Sequence, residues 1–236
     1  AGSIRHRHVP VPTRAMYAWW DTFHGPGVDR LLGGVDVYHA TNFYLPPVGW
    51  ARTVLTIHDL AFLVKPETCS PKIVGLLTKG IRRFAREADA IVVCSESVKR
   101  DIIDLLGEAP EKISVAPVGV GESLQPVNRE EAMVRVRRQS GVRGPFLLFV
   151  STLEPRKNVP GLLRAFAKVK DDIPHRLVLI GQPGWKTEPI RETVAALQLE
   201  DRVIQTGYVP DIVSFYCAAD AFLFPTVYEG FGVPLL

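Results

Sequence analysis

Cysteine is scarce. Cys69, Cys94 and Cys217 are the only three in 236 residues, and their scattered positions give no metal-ligand spacing. That argues against a disulfide framework and points to a reducing compartment. Long apolar runs are missing as well: none approaches the roughly 18 residues of a membrane span, and the opening AGSIRHRHVP lacks the apolar core of a signal peptide. Charge of one sign is modest, with a net of +3 and a pI near 8.8. That is too mild to imply a nucleic-acid partner. What is there, 47% hydrophobic and 22% charged residues, suits a soluble globular chain with one large domain or two of moderate size. The chain opens without an initiator methionine and stops inside the apolar run at 232–236, so both ends read as cut.

The most informative stretch runs from 145 to 166. Five apolar residues, 146–150, follow Gly144-Pro145 and read as a strand buried on both faces. A polar loop follows, containing Ser151, Thr152, Glu154, Arg156, Lys157 and Asn158. Pro160 suits the first turn of a helix, where its missing N–H costs nothing, and Leu162, Leu163, Phe166 and Val169 recur at helical spacing. A strand, a basic loop and a helix in this order gather positive potential at the carboxyl end of a parallel strand, which suits an anionic ligand. A solvated loop with two surface cations fits the same residues.

Along the chain, strands are expected at 35–40, 53–57, 90–94, 112–118, 146–150, 176–181, 202–207 and 221–225. Helices are expected at 71–88, 97–106 with Ser95 as cap and Gly107 as stop, 129–139, 189–197 and 211–216 with Asp211 as cap. Met16, Tyr17, Trp19, Trp20 and Phe23 fit one helix face in an otherwise loop-rich start. Residues 87–94 and 218–225 echo each other, each a helix end, then Ala-Asp-Ala, then an apolar run. Alternation plus echo implies an α/β protein of two Rossmann-like, doubly wound parallel-sheet halves, 1–121 and 122–236, with a linker near 119–128. A cleft between such halves is a natural ligand site. Lys79, Arg82, Arg83 and Arg86 share one helix face, a solvated stripe or a contact for anionic lipid.

Three sets of residues fall where strands end: His58-Asp59, Arg156-Lys157 and Tyr228-Glu229-Gly230-Phe231-Gly232. The glycines allow a backbone to approach a ligand closely, and Glu229 suits sugar hydroxyls. Singly, they also read as a capping pair, surface cations and a Gly-rich turn.

The run from Val150 through Glu154-Pro155-Arg156-Lys157-Asn158, followed by Tyr228-Glu229-Gly230-Phe231-Gly232-Val233-Pro234, resembles the retaining GT-B glycosyltransferases of family 4. Its flavour is that of bacterial mannosyltransferase-like members in polysaccharide assembly. Residues 37–42, 56–60 and 88–97 resemble the same family, so the likeness covers nearly everything from Val35 onward. The resemblance implies a nucleotide-sugar donor, GDP-mannose first and UDP-sugars next, with no cofactor and no metal. By the same resemblance Lys157 binds the diphosphate and His58 lies at the reaction centre. Glu229 contacts the sugar, with Gly230, Phe231 and Gly232 close to it. Fixed cations and amides would stabilise the departing phosphate.

Two departures accompany the likeness. Relatives place a phosphate-binding arginine where Thr152 stands, and Arg156 takes that role here by assignment. The partner acid of Glu229 would fall one place past Leu236, and the Gly-rich opening of the first half is absent, so both halves are expected to be incomplete. The implied acceptor is a saccharide or a lipid-linked sugar, which suits a cytoplasmic enzyme peripheral to the inner membrane. A sugar-nucleotide epimerase, a phosphorylase, or a non-catalytic nucleotide-sugar-binding module would fit the same scaffold.

Overall fold

A computed structural model describes residue 6 and residues 8–122 and 124–236. The reading of the first ten residues falls largely on 1–5 and 7, outside the described residues. Contacts divide the chain into two compact units, residues 1–63 with 72–117, and residues 64–71 with 118–236.

In the first unit, α1 (Thr13–Phe23) and the short α2 (Val28–Leu31) precede β1 (Val37–Ala40) and β2 (Arg52–Ile57). Then come α3 (Ala61–Val64), α4 (Pro71–Glu87), β3 (Ala90–Val93), α5 (Glu96–Leu106) and β4 (Ile113–Val115). The four strands are parallel in the order β1-β2-β3-β4. Alternation along β2 sends Leu55 and Ile57 inward, where they are fully buried along with Ile91. Helix α4 is anchored only through its second half, by Ile81, Phe84 and Ala85, while its first half carries no buried residue. Helix α5 starts where Ser95 accepts a hydrogen bond from the Val98 N–H and stops at Gly107, at φ 75°. The strand expected at 112–118 is shorter: Ala116 still donates to the Val93 carbonyl at 2.8 Å, and Pro117 has no N–H with which to continue.

The second unit runs α6 (Arg129–Ser140), β5 (Phe146–Val150), α7 (Val159–Val169), β6 (Arg176–Ile180), α8 (Glu188–Ala196), β7 (Val203–Gly207), α9 (Ile212–Ala218) and β8 (Ala221–Phe222). Its parallel sheet has the order β7-β6-β5-β8. Phe146 and Leu148 of β5 face one core with Ala132, Val136, Phe215 and Ala218 of α6 and α9. Phe149 faces the other, with Leu162, Leu163, Phe166 and Ile190 of α7 and α8. Burial on both faces is why the strand reads as an unbroken apolar run. Val169, at the same helical spacing, is the last residue of α7 and is 41% exposed. The strand expected at 221–225 pairs only through Phe222. Leu223 still donates to the Leu148 carbonyl at 2.7 Å, and Pro225 cannot extend the ladder.

The sequence echo has a structural counterpart. Asp89, just before β3, accepts the N–H of Thr53 at the start of β2, at 2.8 Å. Asp220, just before β8, accepts the N–H of Phe146 at the start of β5, at 3.1 Å. Each carboxylate ties the entry of one strand to its neighbour.

Candidate active site

The strand order of the second unit sets the site. β5, β6 and β7 add in one direction, then the chain crosses back and places β8 on the other side of β5. The carboxyl ends of β5 and β8 therefore flank a topological switch point, where open α/β sheets form ligand crevices. The basic loop leaves β5 there and the Gly-rich loop leaves β8 there.

After β5 the chain stays extended. Ser151 donates to Ile180 O and Leu153 to Gln182 O, each at 3.0 Å. Gly181, at φ 150°, faces Ser151 so closely that a Cβ would lie 1.8 Å from the Ser151 carbonyl oxygen. A single 3-10 turn, Pro155–Lys157, then presents the two cations, and Asn158 at φ 53° redirects the chain into α7. Pro160 sits in the first turn of that helix.

The two loops are stitched together. Val227 donates to the Arg156 carbonyl at 3.0 Å and Asn158 Nδ2 to the Pro225 carbonyl at 3.3 Å. Glu229 is held between the cations, with Lys157 Nζ bonded to Oε1 and Arg156 NH1 3.2 Å from Oε2. Thr226 Oγ1 lies 2.9 Å from Glu229 Oε1 and 3.1 Å from both the Arg156 and Tyr228 carbonyls. Lys157 is only 7% exposed, with its ammonium 5.5 Å from the Phe224 ring centre. Glu154 holds the other edge of the Arg156 guanidinium, at 3.1 Å from NH2 and 3.3 Å from Nε. Two carboxylates thus balance two cations in a partly dehydrated corner. The picture of plain surface cations does not describe Lys157.

The structure brings Arg156, Lys157 and Glu229 into one cluster. Thr152 is exposed at the same end of β5, beside Gly184, where an added Cβ would meet its methyl at 3.0 Å. Gly230 and Gly232 are buried, Phe231 half-buried, and Gly232 at φ 85° leads into a three-residue 3-10 turn, Val233–Leu235. His58 belongs to the first unit and is exposed at the end of β2. Its Nε2 lies 3.0 Å from the Thr41 carbonyl, which can only accept, so Nε2 carries the proton in that bond. The Cys94 thiol donates to the His58 carbonyl at 3.2 Å, and burial pushes that thiol up, which keeps it a donor. Asp59 caps α3 by accepting the Ala61 N–H at 2.9 Å.

The sequence assigns no role to Glu154, Thr226 or Phe224, although Glu154 stands in the motif itself. A carboxylate two places before an arginine, and a threonine just past the Pro that ends a strand, are the only local traces they leave.

Two parallel sheets, the first in sequential strand order and the second with a paired acid–base cluster at its switch point, fit an α/β protein of the GT-B class. Residues 2–123 match Glycosyltransferase Family 4, and residues 134–236 match Glycosyl transferases group 1. The chain belongs to glycosyltransferase family 4. It is 30% identical over 204 residues to O-antigen chain mannosyltransferase B of Escherichia coli, covering 85% of this chain and 53% of that protein. It is also 30% identical over 230 residues to D-inositol 3-phosphate glycosyltransferase of Acidothermus cellulolyticus, covering 88% and 50%. The chain thus spans about half the length of these curated relatives. Among solved structures, WaaG, a glycosyltransferase involved in lipopolysaccharide biosynthesis, superposes with a TM-score of 0.69 at 18% identity, over 98% of this chain and 62% of that one. Anabaena Alr3699/HepE in complex with UDP and glucose gives 0.61 at 22%, over 76% and 48%. These likenesses establish the shared fold.

Proposed function

We propose that the chain is part of a retaining, metal-independent glycosyltransferase that moves a hexose, mannose first, from a nucleotide sugar to a saccharide or lipid-linked acceptor in bacterial polysaccharide synthesis. One observation carries the reading: the Lys157–Glu229 pair at the switch point of the second sheet. Breaking a sugar–phosphate bond builds negative charge on the departing diphosphate. A fixed ammonium stabilises that charge where water is largely excluded. Lys157 has three N–H donors and shares one with Glu229, so it can serve an anion as well. Glu229, anchored on both oxygens, keeps lone pairs for sugar hydroxyls.

In this reading residues 122–236 hold the donor and residues 1–121 the acceptor, with His58 near the donor sugar. Gly230, Phe231 and Gly232 offer backbone close to the sugar, and Thr152 offers a hydroxyl at the phosphate end. The donor is GDP-mannose or a UDP-sugar. The mannosyltransferase relatives favour mannose as the sugar, and a neighbour of the same fold holds UDP and glucose. A lipid-linked acceptor would bring the enzyme to the inner face of the membrane. No helix among the described residues is long and apolar enough to cross a membrane. Helix α4 is a candidate for membrane contact, since Lys79, Arg82 and Arg86 are exposed on it, as are Ile73 and Leu76, 49% and 65% exposed.

The test is sugar transfer by the intact gene product against a panel of sugar nucleotides, alongside Lys157→Ala. Transfer from one donor, lost in the variant, is expected. Unchanged turnover in Lys157→Ala would remove the assigned role.

A further inference from the structure

We propose that Arg156 is a positioning residue that fixes Glu229 and the 226–229 turn, leaving the anionic end of the donor to Lys157. This rests on the donor-site reading above. The argument starts from the shape of the guanidinium, a rigid plane whose edges cannot be aimed independently. Its Nε and NH2 edge bonds Glu154 Oε1 at 3.3 and 3.1 Å. That contact directs NH1 at the opposite loop, where it meets Glu229 Oε2 and the Tyr228 carbonyl, both at 3.2 Å. The backbone of the same residue is tied to the same loop, its carbonyl accepting the Val227 N–H at 3.0 Å. Arg156 thus grips the turn through main chain and side chain at once. Its side chain is 18% exposed, as is that of Glu229.

The two cations divide the work on Glu229 by oxygen, Arg156 on Oε2 and Lys157 on Oε1. A phosphate reaching Arg156 would compete with two carboxylates already set in its plane. One reaching Lys157 meets an ammonium that can rotate its remaining donors toward it. A carboxylate meant to read sugar hydroxyls gains most from being held on both oxygens, because a displacement near 1 Å costs about a hundredfold in rate.

The experiment uses the intact gene product with Arg156→Gln, Arg156→Lys and Lys157→Ala. It measures GDP and UDP affinity by calorimetry, transfer kinetics, and amide hydrogen exchange across 226–231. For Arg156→Gln, nucleotide affinity is expected within about threefold of the parent, kcat lower by about 10- to 100-fold, and exchange at Val227 and its neighbours faster. Arg156→Lys is expected not to restore kcat, since one ammonium cannot span Glu154, Glu229 and the Tyr228 carbonyl. Lys157→Ala is expected to lose nucleotide affinity. The proposal is overturned if Arg156→Gln weakens nucleotide binding tenfold or more and Arg156→Lys restores it, or if exchange across 226–231 is unchanged. Should the parent protein bind neither nucleotide, the donor-site reading falls, and the exchange measurement still decides whether Arg156 holds the turn.

Discussion

Lys157 and Glu229 form an ion pair across 72 residues of chain, joining the loop after β5 to the loop after β8. The lysine is buried on the Phe224 ring and the glutamate is held from its other oxygen by Arg156. Truncating one partner of such a pair strands the other charge, at roughly 3–5 kcal/mol when the pair is buried. Because Glu229 keeps Arg156 and Thr226, Lys157→Met should fall at the lower end. Urea unfolding of Lys157→Met, Glu229→Gln and the double variant should return a coupling energy of about 1–3 kcal/mol. Additive losses would mean that the pair contributes geometry and no stability. Transfer by Lys157→Met should fall by about 10²- to 10³-fold, the scale of losing one fixed donor at a developing anion.

Gly181 should tolerate no side chain. Its Cβ would overlap the Ser151 carbonyl oxygen, a backbone atom that is itself part of the extended loop reaching Thr152. Gly181→Ala is expected to cost roughly 3 kcal/mol, the upper end of overpacking losses. Gly144→Ala is the control: it also has a positive φ, 77°, but open space around it, so only the left-handed penalty of roughly 1–2 kcal/mol applies. Thermal unfolding of the two variants checks the order, and equal losses would show that backbone strain, not the Ser151 contact, dominates.

Much of this architecture was legible in the sequence because its signals are local. The 146–150 run, the Ser95 and Asp211 caps and the Gly107 stop all depend on neighbours a few residues away, and all stand in the structure. The loops of the site were named too. Their pairing was not, because it follows from the crossover that sets β8 beside β5, and no short window contains a strand order. Glu154 illustrates the difference. Its proximity to Arg156 is visible in the sequence, but the plane that it imposes matters only once Tyr228 and Glu229 lie opposite. The expected strands at 112–118 and 221–225 are overlong for a local reason: the apolar run continues past Pro117 in the first and up to Pro225 in the second, and neither proline has an N–H for the ladder.

Asp89 should make the first unit acid-sensitive in a defined window. The Thr53 N–H, then the Arg52 guanidinium and the Thr53 hydroxyl, hold its carboxyl at about 2. The unfolded chain titrates near 3.9. A depressed folded value stabilises fully above the unfolded pKa and is lost as pH falls through the folded one. Stability should therefore drop between about pH 4 and pH 2. Asp89→Asn should flatten its own share of that slope while lowering stability at neutral pH. Urea midpoints across pH 2–7 test this, and parallel curves for parent and variant would exclude a role for Asp89.

Helix α4 gives the sharpest test of membrane contact. Its first half is unburied and presents Ile73 and Leu76, while Lys79, Arg82 and Arg86 stand exposed along it. Arg83 is different: it bonds Asp21 at 3.2 Å and lies over the Phe84 ring, so replacing it would change contacts within the unit as well as the charge. The informative variant is therefore Lys79→Gln with Arg82→Gln and Arg86→Gln. Each cation near an anionic surface contributes about 1 kcal/mol, so the triple change should weaken binding to phosphatidylglycerol-containing vesicles by about a hundredfold. The parent should bind poorly to purely zwitterionic vesicles and release from anionic ones as salt rises, because screening shortens the reach of the attraction. Leu76→Ser should weaken binding without changing its salt dependence, since it removes apolar insertion and no charge. Undiminished vesicle binding by the triple variant would rule out this face of α4 as the contact.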